Sequence, residues 1–331
     1  MLGSIIGATT FRIPYYAIAP GNALPVAGLV KVTDGPFFPP KSPVYLCTVS
    51  LQSTTLLQAL EGWLDPTVDV VKDEVIVPKD VGRQKLNQFN LQLMDTSKQK
   101  ALIVAFRKLG YEVEHGKGAQ IVDVGKDTPA DGLLHPKDVI VGVDDKAVAT
   151  HSDAIRLLGA HHPGDTATLT VLSGTERRTF TVTLAANPTD KKRPLLGVTL
   201  QTKDPSFTFP YKVDIQSDRI GGPSAGLAFT LELLDVLTEG ELTGGHKVAA
   251  TGTMELDGSV GEVGGVAQKA VAVENAGVKL FLVPKAEVAE ARKHAGKGLR
   301  IEPVGTLDDA LRILAGFGGN GLALGAPGAA T

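Results

Sequence analysis

Several shortages narrow what this chain can be. It has one cysteine, Cys47, so it forms no internal disulfide. That residue is expected to be a small buried hydrophobe rather than a reactive thiol. Charge of either sign is in little excess: the formal net charge is −3, which argues against a general binder of nucleic acid or membrane surfaces. The seven histidines show no HExxH or CxxC-type spacing, so no metal and no cofactor are expected. A Gly-x4-Gly-Lys-Ser/Thr phosphate loop is missing, because "VGKD" and "HGKGA" lack the rest of it. ATP hydrolysis through such a loop is therefore excluded. Long hydrophobic runs are also short here. The opening "MLGSIIGATT" before Phe11 and Arg12 is too brief to span a bilayer and has no basic flank, so alone it reads as a helix end or a piece of a longer anchor.

With 331 residues, 43% of them hydrophobic, the chain is long enough for two to three ordinary cores. "GLVKV" and "PVYLCTVSL" read as strands, and "TTLLQALEGWLD" as an amphipathic helix with Leu56, Leu57, Leu60 and Leu64 on one face. A further helix is expected from about Asp95 to Gly110, a glycine suited to a helix C-terminus. From Gly118 the spacing shifts to short strands and turns. "GAQIVDV" is a strand, Asp144-Asp145 turns one hairpin and Ser173-Gly174 a second, and a helix with Ser152 as N-cap lies between them.

The run "TPADGLLHPKDVIVGVDDKAV", the helix from Asp153 and the closing hairpin resemble a PDZ domain of the bacterial type, over about Ala101–Leu184. The resemblance implies capture of an extended peptide, often a C-terminus, as an added strand. "AANPTDKKRP" then reads as a linker, and strands alternating with helices after it indicate an α/β domain. The Gly/Ala-rich end is expected to be disordered.

Within that last domain, "DRIGGPSAGLAFTLELL" sets Ser224 after Gly-Gly-Pro at the mouth of an apolar run. One reading has the hydroxyl helping to satisfy the first turn of a helix. Another has it as a nucleophile, with glycines opening the backbone and a helix N-terminus beside the developing oxyanion. Gly222–Gly226 fits the GxSxG elbow of α/β-hydrolases, but the residues before it are polar and Pro223 opposes the strained turn. His246 and His294 lack an evident carboxylate partner in that chain order. A second source of a base is the segment "GEVGGVAQKAVAVENAG". On a helix, Val266, Ala270 and Val273 form an apolar face with Lys269 at its margin. A dehydrated lysine loses basicity and can take a serine proton. On pattern alone, a lysine that carries its charge out to water is the simpler reading.

"GGPSAGLAF…VAATGTMELDGSVGEVGGVAQKAVAVENAGVKLFLVP" resembles the proteolytic domain of the Lon proteases, over roughly Leu195–Gly316. The resemblance implies Ser224 as nucleophile, Lys269 as base, Thr251 ordering the two, and Gly221 and Gly222 as supporting residues near the oxyanion. Two places departing from the family's pattern are Gly221, where an acid is common, and Thr253, often Glu. The order of domains is similar to bacterial PDZ–Lon proteins without the ATPase module, and the N-terminal segments look like that group too.

The expected fold is thus α/β (α+β) and multidomain, a bacterial-type PDZ β-domain plus a Lon proteolytic domain of mixed sheet and helices. Its division is 1–21, remnant of a membrane anchor; 22–100, N-terminal region; 101–194, PDZ domain and linker; 195–316, proteolytic domain; and 317–331, disordered tail. The resemblance implies an ATP-independent serine endopeptidase acting on proteins or peptides, not nucleic acid. It also implies a homo-oligomer such as a hexamer, membrane-anchored by one upstream span with the catalytic part on the extracytoplasmic side. The alternatives are a PDZ adaptor whose protease domain is inactive or only self-processing, and a His-dependent hydrolase.

Overall fold

In the computed structural model, residues 11–77, 82–217, 220–321 and 323 are described. They divide into two units: one made of the chain up to Tyr111 and from Pro210 onward, and one made of Glu112–Phe209. The second is therefore an insertion in the first.

The first unit is built on a six-stranded sheet in the order Arg300–Val304, Leu280–Pro284, Val248–Ala250, Val44–Thr55, Arg12–Pro25, Asp69–Lys72. The first four strands are parallel and the last two run antiparallel to their neighbours. Val248–Ala250 and Leu280–Pro284 are short, uniformly apolar and wholly buried, as parallel strands covered on both faces must be. Alternation along the strands then makes two cores. Cys47, Ala249, Phe281, Val283 and Ile301 pack with Val266, Ala270 and Val273 of the helix Val266–Asn275. Leu46, Val248, Ala250, Leu280 and Leu282 are buried on the other face. The helix Gly226–Leu237 belongs to that side, every one of its residues buried.

The second unit is a five-strand path in the order Glu176–Thr183, Thr166–Ser173, Val139–Val143, Ala119–Val124, Val198–Thr202, with the helix His151–Leu158. Its core runs through Ile121, Ile140, Leu157, Leu169, Val171 and Leu184. The hairpin at Asp144-Asp145 has positive φ at both residues, 48° and 64°, the backbone a two-residue turn of this hand requires.

The structure departs from the sequence expectations in several places. Residues 12–21 belong to an inner strand of the main sheet, so the stretch expected as an anchor remnant is globular from Arg12 on. Residues 1–10 lie outside the described residues. No helix among the described residues is long and apolar enough to cross a membrane. The region 22–100 is no separate unit, because its strands complete the sheet that carries Val248–Ala250. Val198–Thr202, expected in the proteolytic domain, pairs instead with Ala119–Val124 of the second unit. The helix expected from Asp95 begins at Arg83. The N-cap of His151–Leu158 is Thr150, not Ser152: its hydroxyl accepts from Asp153 N–H while the Asp153 carboxylate accepts from Thr150 N–H. Part of the expected disordered tail is packed. Gly319 N–H donates to Leu314 O, Asn320 N–H to Glu241 O, and the Phe317 ring meets His246. Residues 322 and 324–331 lie outside the described residues.

Candidate active site

Ser224 sits in a turn just ahead of the helix Gly226–Leu237, half-buried, on a backbone clamped from both sides. From the long helix Arg83–Lys108, Asn90 O accepts Gly222 N–H at 2.8 Å and Ser97 Oγ donates to Pro223 O at 3.0 Å. From the other side, Gly252 N–H donates to Ser224 O at 2.9 Å, and Gly252 O accepts Leu227 N–H at 3.1 Å. The sequence allows this closeness because it is small here. A Cβ on Gly226 would stand 2.7 Å from Met254 N, and Gly222 has φ +89°, which favours glycine. Ser224 is thus mounted at a fixed helix entrance.

Lys269 lies on the helix Val266–Asn275, capped by Gly265 in the left-handed region. Only 2% of it is exposed, so the reading in which it carries its charge out to water does not hold. Its Nζ donates to Thr251 Oγ1 at 3.2 Å, and Thr251 Oγ1 in turn donates to Ser224 O at 3.3 Å. Thr251, fully buried, is fixed by its own N–H to Leu282 O. One hydroxyl therefore joins the serine's backbone to the lysine's amine.

The electrostatics of this pocket follow from burial. Desolvation pulls the Lys269 amine below its usual range, while Cys47 and Glu287 act in the opposite sense. Burial pushes the Cys47 thiol up to about 11, against smaller effects from Lys269 and a hydrogen bond with Thr251. The thiol is protonated at neutral pH and leaves the amine without an adjoining anion on that side. A buried amine so placed can accept a proton and return it.

The remaining expected residues fall as follows. Gly221 is exposed beside Asn90, and Gly222 spends its N–H on Asn90 O rather than turning it to the serine. The expectation that this glycine supplies an oxyanion donor is not met by the loop as it stands. His246 packs on Phe317, and His294 bonds with Glu290 one turn earlier on its own helix. Among the described residues no group of His, Cys, Asp or Glu could hold a metal ion. Asn90, Ser97, Cys47 and Glu287 were missed as neighbours of the site. Asn90 contributes a carbonyl, which no side-chain pattern encodes, and the others come from distant strands, turns and helices.

In the second unit, Val198–Thr202 ends the sheet order and lies beside the helix His151–Leu158. His151 N–H donates to Thr202 Oγ1 at 3.1 Å, and its Nδ1 lies 2.8 Å from the same oxygen. The strand alternates half-buried Val198 and Leu200 with exposed Thr199 and Gln201. An edge strand of this kind next to a helix can accept a further strand.

Residues 100–184 match the PDZ domain family. Residues 218–315 match the Lon protease C-terminal proteolytic domain. The chain thus carries a PDZ domain followed by a Lon proteolytic domain, in the order the sequence implied. Lon protease of Azospirillum brasilense is 38% identical over 94 residues, 28% of this chain and 11% of that protein. Lon protease of Chloroflexus aggregans is 34% identical over 94 residues, again 28% of this chain and 11% of the relative. The chain therefore covers about a ninth of the length of these relatives. Among solved structures, the PDZ domain of an SdrC-like protein from Listeria monocytogenes is 25% identical over 25% of this chain and 87% of that chain, with a TM-score of 0.24.

Proposed function

We propose that this PDZ and Lon-domain chain is a serine endopeptidase that works through Ser224 and Lys269 and needs no ATP. The observation that carries the reading is the Lys269 amine, buried to 2% exposure and bonded to the hydroxyl that also holds Ser224. The neutral amine takes the proton of Ser224 Oγ as that oxygen bonds to the scissile carbonyl carbon. The resulting ammonium returns the proton to the leaving amine as the C–N bond breaks. Water, deprotonated by the same amine, then attacks the acyl carbon, and the ammonium returns that proton to Ser224 Oγ as the ester bond breaks. Thr251 keeps the amine on the serine's side throughout. The positive end of the helix Gly226–Leu237 favours the oxyanion electrostatically, while its Gly226 and Leu227 N–H groups are held by Pro223 O and Gly252 O.

The edge strand Val198–Thr202 is the place to seat an extended peptide, so the substrates are flexible termini or unfolded segments. By resemblance the proposal extends to a homo-oligomer held at a membrane with the catalytic part on the extracytoplasmic side. Sedimentation velocity and cell fractionation test those two parts.

The test of the catalytic reading is cleavage of an unfolded, fluorescently labelled protein without nucleotide. Ser224→Ala and Lys269→Ala should each lose about 10³-fold or more while staying folded. Full activity in purified Ser224→Ala protein would sink it. A second reading, a PDZ adaptor with a latent protease, is favoured by Gly222 N–H being held on Asn90 O. Peptide binding without turnover in any oligomeric state would select it.

A further inference from the structure

We propose that Glu287 is the positioning residue of the lysine, fixing the start of its helix and supplying the anion that stabilises its ammonium during turnover. This rests on the reading of Lys269 as base. Glu287 stands in the turn Lys285–Glu287 that ends the strand Leu280–Pro284, and Leu282 of that strand holds Thr251 N–H. Both of its carboxylate oxygens accept the N–H of Val263, at 3.1 and 3.2 Å. Val263 comes just before Gly264-Gly265, where the lysine helix begins. The carboxylate therefore ties the entrance of that helix to the strand that places Thr251. It is also half-buried, where an interaction with the amine is less screened than at the surface.

Of the other ionisable groups on elements packed at this place, Arg12 donates to Ser53 Oγ, Tyr45 lies under the Lys247 ammonium, and Lys285 pairs with Asp309. From Val44–Thr55, Cys47 is a protonated thiol. From Arg12–Pro25, Tyr15 packs edge-on against Trp63, and Tyr16 is buried. On the helix Val288–His294, Glu290 pairs with Lys293 and His294, while Arg292 donates to Ile301 O. Glu274 on the lysine's own helix accepts Gly296 N–H, and Asp69 accepts from Gln268. Glu262 raises Glu287 without acting on the lysine. Burial lowers the lysine's affinity for its proton and Glu287 restores part of it. A general base needs that balance, since it must be neutral before attack and stable as the ammonium after it.

The experiment combines a pH profile with a direct titration. Glu287→Gln keeps an acceptor for Val263 N–H and removes the charge. The acid limb of its kcat/KM profile should move to lower pH by about half to one unit, three- to tenfold in rate on that limb, while its plateau falls. Glu287→Asp should keep the limb in place, and Glu290→Gln, away from the pocket, should not move it. The titration of Lys269 itself is followed in Ser224→Ala protein carrying ¹³C at lysine Cε, with and without the added change. A shift of the same sign is expected; a titration within 0.2 unit of the parent overturns the proposal. Should Glu287→Gln not fold, Glu287→Asn is the second neutral variant. If Lys269→Ala retains activity the base reading falls, and the ¹³C titration still decides whether Glu287 acts on the amine.

Discussion

Two places in the first unit hide ionisable groups in apolar surroundings, and they behave oppositely. One is Lys269 beside the half-buried Ser224. The other is Glu232 with Asp235, on the helix that starts at the serine, 0% and 2% exposed. Burial first, then Coulombic pressure from Asp235 and Glu241, pushes Glu232 up to about 8, against the hydrogen bond from Val44 N–H. Burial pushes Asp235 up to about 7, with Glu241 adding to it. Each carboxyl has one oxygen on a backbone N–H, of Val44 and Leu242, and one buried oxygen without a hydrogen-bond partner. The acids are sealed inside a helix that is buried all round, whereas the amine bonds to Thr251, whose hydroxyl also holds Ser224 O at a helix entrance. A displaced ionisation is therefore no mark of catalysis by itself; under the proposed function, access to a group that reacts is what separates the two places.

The sharpest way to break this comparison is Lys269→Met. Under the proposed function, proteolysis should fall by about 10³-fold or more, while the protein melts a few degrees higher near neutral pH. The sign follows from the proton count. The amine binds its proton less tightly folded than unfolded, so the unfolded chain holds more protons above the folded value and below 10.5. The amine's contribution to wild-type stability should thus rise with pH across that window, so the gap between variant and wild type should narrow as pH rises. A melting temperature below wild type at pH 7 would mean that the amine's bond to Thr251 outweighs its dehydration.

The acids carry the opposite sign. Folded, they hold protons that the unfolded chain releases above its ordinary carboxylate values of 4.5 and 3.8. Their contribution is full below those values and is lost as pH rises through about 7 and 8. In Lys269→Met protein, free of the lysine's opposite slope, melting curves from pH 4 to 9 should decline as pH rises. Glu232→Gln with Asp235→Asn should flatten that decline. Curves that run parallel would show that the pair is not neutral in the fold.

The local elements of the candidate site were more legible in the sequence than the chain's division. "PSAG" and the glycine-led lysine helix are local patterns, and each survives as one element in the structure. The burial of Lys269 was not legible in the same way, since its place at the margin of the apolar face fits a solvated lysine equally well. What was not legible depends on partners far along the chain. Val198–Thr202 reads as the start of a new domain until Ala119–Val124 is seen beside it. Arg12–Pro25 reads as an end until Val44–Thr55 and Asp69–Lys72 flank it. The run from Arg83 to Met94 sets Leu86, Phe89 and Leu93 at helical spacing, but the Gln and Asn between them and the exposure of Phe89 leave no continuous apolar face to mark the first half of the long helix.

The helix Leu56–Leu64 offers the smallest test, on the same principle that surroundings outrank residue type. An amphipathic helix ordinarily buries its apolar face, yet here Leu56, Leu57, Leu60 and Leu64 are exposed and Ala59 and Gly62 are buried. The reason is close approach: a Cβ on Gly62 would come 2.7 Å from Val70 Cγ2 and 3.2 Å from Val68 Cγ1. Both are β-branched side chains with little freedom to turn away. Gly62→Ala should therefore destabilise by roughly 1 kcal/mol, although alanine is the better helix former by about as much. Leu64→Ser, on the open face, should stay within about 0.5 kcal/mol of wild type in urea unfolding. If Leu64→Ser proves the costlier change, that face is covered by something when the protein is in solution, and the leucines are core residues after all.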